Sequence, residues 1–133
     1  MDWTELLEAA EAARERAYCP YSGFQVGSAI LTEDGKVFIG CNVENRSFGL
    51  TVCAERVAVL SAVAEGHRKL AALVAITDTA PPSPPCGQCL EVMTEFGHPD
   101  LPVLLANVQG ESKEYRLRDL LPHPFEFPLA TDS

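Results

Sequence analysis

One stretch narrows the fold more than any other: Ala71-Ala72-Leu73-Val74-Ala75-Ile76-Thr77. It is apolar almost throughout and has the length of a strand rather than a core helix. Such a run suits the centre of a sheet that is covered on both faces. A strand without a polar face forces the rest of the chain to supply two outer layers.

The remaining segments can be read for those layers. Residues 2–18 read as a helix, with Asp2 placed to cap it, Glu5 in the capping-box position, and an apolar stripe at Leu6, Ala10, Ala13 and Ala17. Residues 26–32 and 37–41 read as two strands, and Asp34-Gly35 between them is a hairpin signal. Residues 42–50 form a polar loop, followed by a helix over about 53–65 that Gly66 stops. Four prolines stand between Thr79 and Pro85, so that stretch is a loop. A short helix over about 87–96 ends at Gly97, and strands at 103–108 and 114–117 flank Gln109-Gly110. Residues 118–121 suggest one helical turn, before a tail punctuated by Pro122, Pro124 and Pro128. This order predicts an α/β fold: a three-layer α/β/α arrangement around one mixed five-stranded sheet. At 133 residues, the expectation is a single domain over 1–133.

Charge removes one class of partner. Nineteen acids against ten bases leave a net charge of −9, and no run of Lys or Arg exceeds two. Polynucleotide binders draw their affinity from clustered cations that neutralise phosphates, so nucleic acid is not an expected partner. No apolar run approaches the ~18 residues of a membrane span, and the first residues lack a basic-then-apolar leader pattern. The expected location is the cytoplasm.

The five cysteines are Cys19, Cys41, Cys53, Cys86 and Cys89, an odd count that argues against a disulfide framework. Within Pro85-Cys86-Gly87-Gln88-Cys89, two cysteines three apart enter a helix. They fit a redox pair, half of a metal site, or plain core. Cys53 is the best-placed additional ligand, because it also lies where a helix begins. Helix N-termini offer unpaired N–H groups and partial positive charge, which favour thiolate over thiol. His67, His98 and His123 read as surface residues, so no fourth ligand is evident. Three ligands and one open position describe a catalytic zinc site in which water takes the fourth place.

Glu55 follows Cys53 by two, a poor spacing for a shared ligand on a helix, but suitable for a proton carrier beside the metal. Alone, it also reads as a glutamate favourably placed at a helix N-terminus. Three thiolates would give Zn²⁺ a net charge of −1, which opposes activation of water. Arg56 is the nearest cation in sequence to offset it, although by itself it reads equally as a surface arginine.

The combination of Cys53-Ala54-Glu55-Arg56 with Pro85-Cys86-Gly87-Gln88-Cys89 resembles the zinc-dependent nucleoside and nucleobase deaminases, and most closely the small cytidine deaminases. The likeness extends along the chain. Tyr18-Cys19-Pro20-Tyr21-Ser22-Gly23-Phe24 with Val26-Gly27 is similar to their first loop. Gly40-Cys41-Asn42-Val43-Glu44-Asn45 with Gly49-Leu50-Thr51 is similar to their ribose-binding segment, and Leu120-Leu121-Pro122 with Phe125 to their closing motif. The resemblance implies a cytidine-deaminase-like fold, with Cys53, Cys86 and Cys89 as ligands of one Zn²⁺ per subunit and Glu55 as proton shuttle. It implies Asn42 and Glu44 on the ribose 3′-hydroxyl, with Phe24, Ala54 and Phe125 also binding substrate, and Phe125 doing so in a neighbouring subunit's pocket. Cysteine at 53, where dimeric relatives carry histidine, resembles the homotetrameric branch. The implied reaction is hydrolysis of cytidine and 2′-deoxycytidine to uridine and 2′-deoxyuridine plus ammonia, a pyrimidine-salvage step.

Some positions depart from that pattern. Leu90-Glu91 stands where Arg-Gln is common, which leaves Arg56 alone to face the thiolates and predicts a raised pH optimum. Arg46 replaces a small residue, and Phe48 a common tyrosine. Cys19 and Cys41 match positions that bind no metal and read as packing. Two alternatives remain beside the main reading: a deaminase of another aminopyrimidine nucleoside, of the blasticidin type, and a zinc-binding module without catalysis.

Overall fold

The computed structural model describes residues 1–126. Pro128, expected to punctuate the tail, lies outside them.

The apolar run becomes β3 (Leu70–Thr77), the middle strand of a five-stranded sheet. With β1 (Gly27–Thr32), β2 (Val37–Cys41), β4 (Pro102–Asn107) and β5 (Ser112–Arg116), the order is β2-β1-β3-β4-β5. β1 pairs antiparallel with β2 and β3, β3 pairs parallel with β4, and β4 pairs antiparallel with β5. The sheet is mixed, as expected. Two connections join strands that run parallel and so need long crossovers: α2 (Ala54–Ala64) carries the chain from β2 over β1 to β3, and the proline-rich loop with α3 (Gly87–Phe96) carries it from β3 to β4.

The period of two along β3 sorts its side chains into two cores. Ala72, Val74 and Ile76 meet Leu6 and Ala10 of α1 (Thr4–Arg14) on one face. Leu73 and Ala75 meet Ala58, Val59 and Ala62 of α2 (Ala54–Ala64), and Leu90 and Met93 of α3, on the other. Full burial of a side chain such as Leu73 is worth roughly 1.5–3 kcal/mol. A polar substitution on either face of β3 therefore damages one core or the other.

Two glycines let the outer layers approach. A Cβ on Gly27 would lie 2.0 Å from the Ala10 carbonyl oxygen of α1. A Cβ on Gly40 would lie 2.4 Å from the Ala54 carbonyl oxygen and 2.5 Å from the Ala58 nitrogen of α2. Backbone thus rests on backbone at both sites, and α2 is set directly against β2.

The first helix is shorter than expected, ending at Arg14 rather than near Tyr18. Tyr18 is taken instead by an isolated bridge to Val43, with Tyr18 N donating to Asn42 O at 2.9 Å and Glu44 N to Tyr18 O at 2.8 Å. That extended pairing draws the chain out of the helix. The N-terminus differs as well: Trp3 is the N-cap residue without a side-chain cap, and Asp2 Oδ1 accepts from Thr4 N at 3.0 Å. The final turn is present as α4 (Leu117–Leu120).

Candidate active site

Two helix starts meet beyond the carboxyl end of β3, where ligand sites gather in open α/β sheets. Cys53 is the N-cap residue of α2 and Cys86 that of α3, both with extended backbone and no side-chain cap bond. Cys89 lies in the first turn of α3 and is fully buried. The three Sγ atoms lie within 4.8 Å of one another; Cys53 and Cys86 are 3.7 Å apart, and Cys86 and Cys89 are 3.5 Å apart. A tetrahedral Zn²⁺ with Zn–S bonds of ~2.3 Å needs S···S separations of about 3.8 Å. Donor type and spacing therefore fit zinc. None of the five cysteines is in a disulfide.

The bare thiols share charge unequally. A hydrogen bond from Cys89, then Arg56 and Cys86, holds the Cys53 thiol down at about 5 despite its partial burial. Cys89, the proton-bearing partner, is pushed upward by that same bond and by burial. Arg56 Nη2 donates to Cys53 Sγ at 3.6 Å and to Thr51 O at 3.3 Å. Its buried Nε has no hydrogen-bond partner among the described residues, which leaves a guanidinium donor in reserve. Leu90 is 7% exposed and packs into the α2–α3 core, so position 90 is an apolar contact.

Glu55 is 5% exposed and lines the same cleft. Burial, and next the nearby Cys53 charge, raises its carboxyl from 4.5 to about 7. A group poised there both accepts and releases a proton near neutrality.

The cleft has a volume of about 280 Å³. Of the expected substrate-binding residues, Phe24, Asn42, Glu44 and Ala54 line it together with Cys53, Glu55 and Cys86. Asn42 and Glu44 also brace the loop over residues 21–26. Asn42 Oδ1 accepts from Val26 N at 2.9 Å, and its Nδ2 donates to Phe24 O at 2.7 Å. Glu44 Oε1 accepts from Tyr21 N at 3.0 Å and Ser22 N at 3.1 Å, and Oε2 accepts from Ser22 Oγ. The Ser22 hydroxyl, then the backbone donors of Ser22 and Tyr21, lower the Glu44 carboxyl below its usual range. Both side chains thus hold the loop that carries Phe24 against the cleft. Phe125 is 72% exposed and is not part of this cleft's lining.

Sequence reasoning missed Thr77 and Ser83, which also line the cleft, and gave Ser22 and Thr51 a place in its motifs but no role. Thr77 carried a usable signal, as the only polar residue at the carboxyl end of a central apolar strand. Ser83 carried a weaker one, as the hydroxyl inside the proline-rich loop before Cys86. A larger, shallower hollow of about 510 Å³ lies at the other end of the sheet, among Asp34, His67 and Lys69, away from the cysteine cluster.

Comparison with known proteins agrees with this geometry. Residues 1–105 match the family described as the cytidine and deoxycytidylate deaminase zinc-binding region. A cytidine deaminase of Halalkalibacterium halodurans is 49% identical over 125 residues, covering 94% of this chain and 95% of the relative. One from Mycobacterium tuberculosis is 41% identical over 125 residues, covering 94% of this chain and 90% of the relative. The crystal structure of a cytidine deaminase from Burkholderia pseudomallei superposes with a TM-score of 0.90 at 53% identity, covering 94% of this chain and 100% of that one. Fold, cysteine cluster and sequence agree, and the chain belongs to the cytidine and deoxycytidylate deaminase zinc-binding family.

Proposed function

We propose that this protein hydrolyses cytidine and 2′-deoxycytidine to uridine and 2′-deoxyuridine, releasing ammonia. The observation that carries the reading is the convergence of three cysteine sulfurs beside a buried glutamate poised near neutrality, all on one cleft. The relatives named cytidine deaminase support the same substrate class. A nucleoside without phosphate also suits a chain of net charge −9.

Cys53, Cys86 and Cys89 would hold the zinc ion. When bound, the ion supplies the Lewis acidity that makes water nucleophilic near neutral pH. Glu55 takes the proton of the attacking water and delivers it to N3 of the pyrimidine as the C4–O bond forms. It then takes the proton of the new C4 hydroxyl and passes it to the departing amine as the C4–N bond breaks, so one water is consumed and one ammonia released. Arg56 offsets the charge of the thiolates. Asn42 and Glu44 use their remaining hydrogen-bonding capacity on the ribose, and a site built around a hydroxyl rejects analogues that lack it. Phe24 and Ala54 pack on the nucleoside.

The working assembly in this reading is a homotetramer with shared sites. Tyr18, Tyr21, Phe48 and Leu50 are exposed apolar side chains, and Tyr21 and Phe48 stack edge-on at 5.7 Å. Exposed rings in contact suit another subunit's surface, and Phe125 lies outside its own cleft. Five unpaired cysteines support a cytoplasmic location, since reducing compartments keep thiols free; no helix among the described residues is long and apolar enough to cross a membrane.

The test is loss of cytidine absorbance on adding protein, with and without a chelator, with ammonia measured in parallel. Chelator-sensitive conversion is expected. Zinc-loaded protein that releases no ammonia from cytidine would overturn the reading, and faster turnover of blasticidin would move its substrate.

A further inference from the structure

The proline-rich loop between β3 and α3 forms one wall of the cleft through Ser83 and Pro84. Four prolines set its backbone angles and remove donors, so few backbone hydrogen bonds are available to hold it. Side-chain hydroxyls hold it instead. Thr77 Oγ1, buried at the end of β3, lies 3.0 Å from Thr79 Oγ1, which in turn lies 2.7 Å from Ser83 Oγ. Thr79 N also donates to Thr77 Oγ1 at 3.4 Å. The same residue is fixed from the opposite side, where Asn107 Nδ2 donates to Thr79 O at 2.9 Å. Asn107 is 3% exposed and is bound to Glu111 Oε1 at 3.0 Å. Asp78 beside it is tied down as well: its carbonyl accepts from Gln109 Nε2 at 3.3 Å, and its carboxylate lies 3.8 Å from Arg14 Nη2.

Thr79 is thus the hub of a ladder running from the central strand to the cleft wall, and it is not itself part of the cleft's lining. We infer that Thr79 is a positioning residue for nucleoside binding: its hydroxyl seats Ser83 and Pro84 at the wall against which the substrate packs. The inference rests on the deaminase reading above. The ladder should govern binding more than chemistry. The proton shuttle Glu55 is placed apart from it by α2, and Cys89 lies within the first turn of α3. Loosening residues 79–84 would widen the cleft without moving the proton shuttle.

The experiment compares Thr79→Val, Thr79→Ser and Ser83→Ala with the unmodified protein in steady-state assays on cytidine, with zinc content and thermal midpoint measured alongside. Valine keeps the volume of threonine and removes the hydroxyl. Losing one well-made hydrogen bond predicts a KM raised about tenfold in Thr79→Val, with kcat within about twofold and zinc retained. Thr79→Ser should restore KM, and Ser83→Ala, which removes the far end of the ladder, should reproduce the rise. An unchanged KM in Thr79→Val overturns the inference. So does a variant in which KM, kcat, zinc content and midpoint all deteriorate and serine fails to rescue, because that is the signature of general destabilisation. Should Thr79→Val fail to fold, Ser83→Ala decides alone: a tenfold rise in KM supports the ladder and an unchanged KM overturns it. If the unmodified protein does not convert cytidine, the deaminase reading falls and takes the inference with it. An active protein indifferent to these substitutions removes the inference alone.

Discussion

Arg56 Nη2 lies 3.6 Å from Cys53 Sγ, one helical turn along at the start of α2. With the hydrogen bond from Cys89, this contact keeps the Cys53 thiol at about 5 instead of its ordinary 9. The arginine therefore adds to the hydrogen bond from Cys89 in setting the proton competition that a metal ion meets. In Arg56→Gln the Cys53 thiol moves back toward 9, and zinc must displace a proton at pH 7 that is absent at higher pH. Zinc affinity at pH 7 should fall about tenfold, the scale of one charge-assisted hydrogen bond, with a smaller loss at pH 9. Competition with a chromophoric chelator at the two pH values reads this directly. Equal losses at both would assign Arg56 a purely structural part.

Glu55 supplies a second pH dependence, of opposite sign. Its carboxyl stands at about 7 in the folded protein and near 4.5 when exposed. A carboxyl raised by folding gives its full contribution below the unfolded value, and that contribution is lost as pH rises through 7. The difference is worth about 3 kcal/mol. Cys53 works the other way: the contribution of its lowered thiol is lost as pH falls through 5, and above pH 9 the upward shift of Cys89, from the same hydrogen bond, opposes it. Glu55→Gln removes the first dependence and leaves the second. In chelated protein its thermal midpoint should match the unmodified protein near pH 4.5 and exceed it increasingly up to pH 8. Parallel midpoint curves would show that the Glu55 side chain ionises without hindrance.

What could be read beforehand follows the range of the interactions involved. β3 was legible because an unbroken apolar run has one stable home. The cluster of Cys53, Cys86 and Cys89 was legible because its ligands sit at sequence-visible helix starts. The bracing of the loop by Asn42 and Glu44 was not, since it lies in hydrogen bonds to residues 21–26 that only the folded chain brings near. The early end of α1 has the same cause, a bridge between Tyr18 and Val43. At position 90, residue type alone left open whether the side chain faced the thiolates or the core, and packing against α2 assigns it to the core.

Gly40 links the sheet to the site. The Cβ of an alanine there would press on the Ala54 carbonyl and Ala58 amide, both backbone of the helix that carries Cys53, Glu55 and Arg56. Backbone cannot rotate away as a flexible side chain can, so α2 must lift. Gly40→Ala should cost about 1–3 kcal/mol or more of stability, and it should lower kcat as well, because the displaced helix carries Glu55, the proposed proton shuttle. At Gly49 a Cβ meets nothing within 4 Å, so Gly49→Ala should leave stability nearly unchanged. Denaturant unfolding of the two variants separates the effects, and a Gly40→Ala protein as stable as the Gly49→Ala protein would contradict the close approach.

Phe125 tests the shared site without requiring a structure of the assembly. It is 72% exposed and outside the cleft of its own subunit. If its ring completes a neighbour's pocket, Phe125→Ala should raise KM for cytidine about tenfold, the ~1.4 kcal/mol scale of an aromatic contact. Zinc content should not change. A sharper result comes from mixing. Glu55→Gln subunits lack the proposed proton shuttle but carry a sound Phe125, whereas Phe125→Ala subunits carry a sound Glu55. Co-refolded mixtures should contain clefts with both groups, and activity at low cytidine should exceed the sum of the two proteins assayed apart. Activity no greater than that sum would show that each cleft is built from one chain.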